Sequence, residues 1–236
     1  MADKRIPITV IIPVYNCKKY LQAAVSSVLE QKYENLTIVL VDDGSTDGSS
    51  ELCDIISEKQ SRVHVMHKAN GGVSSARNMG IDYVLEHQKG GYVVFLDADD
   101  AWACDFFDEK VHDLLNRGYD MVGFQYCLCN RSLTARAAAP ILQEGLRSGG
   151  TASVWCSQLS SVFYSADLLK KYEIRFINAK YSEDKIFVVQ CLYLSDTIWL
   201  ENKIFHYYRN NNTSAVHIRQ RGIPYYELII KNWRVV

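Results

Sequence analysis

What most constrains this chain is an alternation of two patterns. ITVIIPV (8–14) is a continuous β-branched run of the kind found in strands buried on both faces. Behind it, Tyr20 to Gln31 has helical apolar spacing, with Leu21, Val25, Val28 and Leu29 on one side. The pair then repeats as strand 36–41, helix 49–59, strand 62–67, helix 74–87, strand 92–96, helix 105–117 and strand 121–128. Strands alternating with helices of about ten to fifteen residues imply right-handed βαβ units. The predicted fold class is α/β, with a mostly parallel sheet and helices on both faces.

The second half reads differently. Residues 130–150 are the least regular stretch and suggest a loop or hairpin excursion. KYSEDKIFVVQCLYLS (180–195) has helical spacing, TIWLENKIFHYYR (197–209) reads as a strand, and residues 222–236 read as an amphipathic helix. No low-complexity linker separates residues 1–120 from 121–236, so the two halves are expected to form one continuous unit.

Several function classes are disfavoured. A net charge of −1 without a basic cluster speaks against nucleic-acid binding. Neither the Rossmann dinucleotide fingerprint nor a P-loop occurs, which disfavours dehydrogenases and nucleoside triphosphatases. The seven cysteines are odd in number and lack a CxxC pair, as expected for reduced thiols of a cytoplasmic protein. No apolar run reaches about eighteen residues, so no spanning helix is expected. Tyr225, Tyr226, Ile229, Ile230 and Trp233 line the final helix, which ends without a cap, as in a piece of a longer protein. That face could rest on the inner surface of a membrane or pack on the rest of the protein.

In open α/β sheets, ligands bind beyond the carboxyl ends of the strands. Here those ends carry Tyr15-Asn16, Asp42-Asp43 and Asp97-Ala98-Asp99. FLDADD (95–100) crowds three carboxylates behind an apolar run. Either a solvated turn begins there, or a divalent cation offsets the repulsion. Thr46 and Asp47 read as helix caps, as does Asp100 for the helix expected after it. Gly71-Gly72 precedes a helix N-terminus, a natural anion site. Ser182 would cap a helix whose first turn holds Glu183 and Asp184.

Five blocks, IIPVYN (11–16), VDDGSTDGS (41–49), GGVSSARNMGI (71–81), FLDADD (95–100) and YSEDKIF (181–187), resemble in order and spacing the family 2 glycosyltransferases. Those enzymes have the Rossmann-like GT-A fold and include builders of bacterial polysaccharides. The resemblance implies a nucleotide-sugar donor, UDP-linked, and a saccharide or lipid-linked acceptor. It also implies transfer with inversion. Asp99 would ligate Mn²⁺ or Mg²⁺, with Asp97 at the ribose or in the metal's outer shell. Asp43 would accept from uracil N3–H, Pro13 and Tyr15 would line the base pocket, and Arg77 would reach a base carbonyl or a phosphate. Asp184 would be the general base, with Glu183 orienting the acceptor or bracing Asp184. Arg209 would meet a phosphate, and His217, ahead of His206, would complete the metal site from beyond the NNNTS segment. The alternatives are a sugar-nucleotide nucleotidyltransferase, for which PVYNCKKY lacks the expected glycine-rich turn, and an inactive nucleotide-binding module.

Overall fold

A computed structural model describes residues 5–130, 132–138, 144–147, 159–179 and 182–210. In it β1 (Ile8–Val14) is flanked by β2 (Leu36–Asp42) and β4 (Tyr92–Phe95), with β3 (Val63–His67) outside β2; all three pairings are parallel. The connecting helices are α1 (Lys18–Leu29), α2 (Ser49–Lys59) and α3 (Val73–His87). Residues 8–95 are thus the predicted βαβ series, with boundaries shifted by a residue or two.

Side-chain parity on β1 explains why the run is apolar throughout. Ile8, Val10, Ile12 and Val14 pack into a core with Leu21, Val25 and Val28 of α1. Ile11 points the other way, toward Ile81 and Val84 of α3. An alternating polar strand would leave one helix layer without an apolar partner. α3 approaches closely because Gly80 faces Ile11. A Cβ at Gly80 would stand 2.5 Å from Ile11 Cγ2.

Register aligns the strand ends. Val14 lies opposite Asp42, and Asp42 opposite His67, so β1, β2 and β3 finish level. Polar side chains at these ends therefore share one edge of the sheet.

Beyond β4 the sheet continues through β9 (Val162–Ser165), β6 (Met121–Cys129), β10 (Ile198–Arg209) and β5 (Ala101–Trp102). β9 runs antiparallel to both β4 and β6, and β10 runs parallel to β6. The six strands β1, β2, β3, β4, β6 and β10 therefore share a direction. The four reversed strands are β5, β9 and the edge pieces β7 (Ala135–Ala138) and β8 (Gly145–Arg147). The irregular 130–150 stretch thus contributes short antiparallel strands to β6 and β10.

One predicted element begins later than expected. The helix expected at 105–117 is α4 (Glu109–Asn116), capped where Asp108 accepts from the Val111 N–H at 3.0 Å. The residues before it bury aromatics instead. Trp102 and Phe106 lie in the core, with ring centroids 4.6 and 4.3 Å from Phe205 of β10. Burying those rings as β5 and an extended turn outweighs an early helix start.

Among the described residues the remaining α-helices are α5 (Ala166–Lys171) and α6 (Glu183–Leu194). Among the described residues no helix is long and apolar enough to cross a membrane. The six cysteines among them are free thiols. The expected final helix, the NNNTS segment and His217 lie outside the described residues.

Candidate active site

The ends of β2 and β3 pair acid with base. Asp42 accepts from the Ser45 N–H and contacts His67 Nδ1, both at 3.1 Å, while His67 Nε2 stands 2.9 Å from Asp54. Burial works against the Asp42 carboxylate, but the hydrogen bonds from Ser45 and His67 outweigh it and hold its pKa below the usual range. The same two carboxylates raise the His67 pKa.

Asp43 is buried, and its Oδ1 accepts from Lys68 Nζ at 2.6 Å and from Gly71 N at 2.9 Å. Its Oδ2 accepts from Gly72 N at 2.8 Å. The anion expected on the glycine pair is therefore the chain's own carboxylate. Gly72 makes this possible: its φ of 87° lies in the region that glycine enters without strain. A carboxylate has about four acceptor sites, so Oδ2 retains capacity for a donor such as an imide N–H. Lys68 carried no sequence signal. It becomes visible only once parallel register sets the end of β3 beside that of β2.

At the end of β1, Asn16 Oδ1 accepts from Thr46 N at 2.8 Å. Asp47 bonds two helix starts, accepting from Lys18 N at 3.2 Å and Ser49 N at 3.0 Å. Neither predicted cap holds the N-cap position, which is Cys17 for α1 and Gly48 for α2; Asp47 instead ties the first residues of both helices together, and Thr46 fixes the loop. Pro13 is half-buried and Tyr15 stands 54% exposed, leaving an aromatic ring face open beside these loops.

Arg77 occupies the middle of the site. Its Nη2 donates to Asp97 Oδ1 at 2.8 Å, and its Nη1 stands 3.6 Å from Glu183 Oε1. The guanidinium lies 5.2 Å from the centre of the Phe176 ring. Its side chain is 5% exposed, yet Nε and Nη1 have no hydrogen-bond partner among the described residues. Three of the predicted blocks, ARN, FLDADD and YSEDKIF, thus meet at one side chain.

The convergence depends on residues that sequence reasoning missed. Asn78 bonds the Phe176 backbone twice, Nδ2 to its carbonyl and Oδ1 from its N–H, each at 2.8 Å. The Phe176 ring then stacks on Phe187 of α6 at 4.0 Å and meets Phe95 of β4 edge-on at 5.1 Å. One aromatic residue therefore ties α3, β4 and α6 together. An aromatic in a non-periodic segment offers no signal of this in the sequence.

The acidic loop divides its carboxylates. Asp100 is buried, caps no helix, and contacts β10: its Oδ2 lies 2.8 Å from His206 Nε2, and its Oδ1 accepts from the Arg209 N–H at 2.8 Å. Asp99 has no side-chain donor among the described residues. Burial, then the Asp100 and Asp97 charges, push its pKa up to about 7. Arg209 Nε donates to the Asp99 carbonyl. His206 is fully buried with Nε2 against Asp100, so it does not stand with Asp97 and Asp99 as a ligand. Among the described residues no group of three His, Cys, Asp or Glu side chains is arranged to hold a metal ion.

Glu183 and Asp184 do open α6, but Ser182 gives no side-chain cap; its φ of 62° places it in the left-handed region. Strain of about 1–3 kcal/mol at such a residue is a common mark of a functional turn. Asp184 Oδ1 accepts from the Lys185 N–H at 2.8 Å. Burial raises the Glu183 pKa, Arg77 opposes the rise, and the Asp184 charge adds to it.

Known proteins resemble this chain in sequence and in fold. A family model, Glycosyl transferase family 2, matches residues 9–157. Glycosyltransferase GlyG of Streptococcus pneumoniae is 47% identical over 94 residues, covering 39% of this chain and 30% of that protein. The uncharacterized glycosyltransferase EpsJ of Bacillus subtilis is 27% identical over 226 residues, covering 89% and 63%. Among solved structures, S. aureus TarS 1-349 in complex with UDP-GlcNAc superposes with a TM-score of 0.77 at 21% identity, covering 95% of this chain and 64% of that one. The chain spans less than two thirds of the length of each of these proteins. With the family model matching more than half its length, the chain belongs to glycosyltransferase family 2.

Proposed function

We propose that the chain transfers a sugar from a UDP-sugar to a hydroxyl of a saccharide or lipid-linked acceptor, with inversion and with a divalent cation. The observation that carries this reading is the Asp97–Arg77–Glu183 chain, which sets the acidic loop and the start of α6 around one buried guanidinium at the carboxyl edge of the sheet. The UDP-GlcNAc complex of TarS, whose fold this chain shares, supports the choice of donor.

The residues present fit a hard cation. Asp99 offers a carboxylate without a side-chain donor among the described residues, beside two more carboxylates; burial and those charges raise its pKa to about 7, a cost that a cation would offset. Asp99 would hold Mn²⁺ or Mg²⁺ with Asp97 adjoining, and phosphate oxygens of the donor would complete the ligand set. When bound, the ion would neutralise charge on the departing diphosphate. His217, the expected further ligand, lies outside the described residues.

In the reaction, Tyr15 and Pro13 would flank the base and Oδ2 of Asp43 would accept from its imide N–H. Nε and Nη1 of Arg77, neither hydrogen-bonded among the described residues, would meet the donor, and Arg209 a phosphate. Asp184 would take the acceptor hydroxyl's proton as that oxygen attacks the anomeric carbon and the diphosphate leaves from the opposite face. A carboxylate within hydrogen-bond reach suffices, because the alcohol acidifies as the new bond forms. Glu183, held by Arg77, would brace the turn that presents Asp184.

Calorimetric titration of UDP with and without Mn²⁺, on wild type and Asp99→Ala, tests the site. Binding that gains from Mn²⁺ only in the wild type is expected, and binding indifferent to both ion and substitution would overturn the cation site. For the chemistry, Asp184→Asn should keep UDP affinity while UDP-sugar turnover falls at least about a hundredfold. Unchanged turnover in that variant would remove Asp184 from the mechanism. A wild type that binds UDP but turns over no UDP-sugar would favour the inactive binding module.

A further inference from the structure

His206 raises a question that core packing does not answer. It is 0% exposed, and its Nδ1 has no hydrogen-bond partner among the described residues. A buried polar atom left without a partner costs about 1–3 kcal/mol. An apolar residue of similar size would fill the same space without that penalty. The ring's one described hydrogen bond is the 2.8 Å contact from Nε2 to Asp100 Oδ2. Assigning the Nε2–H tautomer to the ring makes Asp100 an acceptor at both oxygens, from His206 and from the Arg209 N–H.

The consequence lies one residue away, at Asp99. Its carbonyl accepts from Arg209 Nε. The next residue, Asp100, is gripped at both carboxylate oxygens by β10 and donates its own N–H to the Asp97 carbonyl at 3.0 Å. The Asp99 carbonyl is thus tied to β10, and the residue after it to both β10 and the turn. β10 shifts register between Ile204 and His206 where it pairs with β6, and His206 then stands opposite Trp102 of β5. Irregularities of this kind commonly re-aim a side chain. Here one accompanies the ring that meets a loop 106 residues earlier in the chain.

We propose that His206 is a positioning residue for the acidic loop: through Asp100 and the Arg209 peptide it holds Asp99 where the cation and diphosphate of the donor require it. The inference rests on the proposed donor site and adds to it a residue that touches neither ion nor nucleotide. Partners of this kind behind metal ligands typically alter metal affinity about 10- to 100-fold when removed.

The test compares His206→Gln, whose amide can still donate to Asp100, with His206→Leu, which cannot. UDP affinity is measured by calorimetry with Mn²⁺ and with EDTA, alongside thermal unfolding. The proposal expects His206→Leu to lose at least about tenfold of the Mn²⁺-dependent gain in UDP affinity. Metal-free affinity should stay within about twofold in both variants, and His206→Gln should recover most of the gain. Equal loss in both variants, or parallel loss with and without Mn²⁺, would reduce His206 to a packing residue and overturn the proposal. Should His206→Leu fail to fold, Asp100→Ser, too short to span both donors, carries the same expectation and the same overturning result. A wild type with no Mn²⁺-dependent gain would overturn the donor-site reading and this inference together. A wild-type gain that survives His206→Leu would overturn this inference alone.

Discussion

Asn78 and Phe176, 98 residues apart, hold each other by two hydrogen bonds of 2.8 Å, side-chain amide to peptide in both directions. This pair decides where the α6 turn sits, because the Phe176 ring stacks on Phe187. Asn78→Ala would leave a partly buried N–H and carbonyl unpaired, at a cost of about 1–3 kcal/mol. Urea unfolding should show that loss. UDP-sugar turnover should fall more than UDP affinity, since the site's two halves lose their common brace.

Gly80 is the point where α3 meets β1. A methyl group there collides with Ile11, whose side chain is fully buried and has no room to yield. Gly80→Ala should destabilise by about 1–3 kcal/mol despite alanine's better helix propensity. Thermal unfolding of the pair checks this; an alanine variant more stable than wild type would mean that α3 shifts freely on the sheet.

Asp99 makes stability and binding respond to pH in opposite ways. Its pKa rises from 3.8 to about 7 in the fold, so the unfolded chain releases this proton first. Stability is therefore lost as pH climbs from about 4 through 7, by about 1.4 kcal/mol per unit of separation as an upper bound. Asp99→Asn should melt higher than wild type at pH 8 and equally at pH 4. Mn²⁺-dependent UDP binding should run the other way, weakening below pH 7 as the carboxyl takes up its proton. Melting curves and titrations at those pH values measure both.

His67 has the reverse sign. Hydrogen bonds to Asp42 and then Asp54 raise its pKa, with burial opposing. Its contribution is complete below the ordinary imidazole value of about 6.5 and disappears as pH rises through the raised one. The ring is 42% exposed, so the effect should stay within about 1 kcal/mol. Denaturant midpoints of His67→Gln against wild type should differ at pH 5.5 and converge near pH 9.

The alternation of β-branched runs with helical spacing was enough to determine the βαβ half of the sheet, because strands covered on both faces must be apolar throughout and the helices must be amphipathic. The acidic loop and the ED turn were legible too, as polar residues placed where such strands end. What the linear order left open was pairing. Asp43 was read as a contact for the base, and the structure also gives it the two glycines and Lys68. Asp100 was read as a helix cap, and it binds β10 instead. Trp102 and Phe106 were placed ahead of and within a predicted helix; both entered the aromatic core. In each case the partner lies far along the chain or across the sheet. A carboxylate or a ring has many locally acceptable partners, and only the assembled sheet, by desolvating the group, leaves it with one.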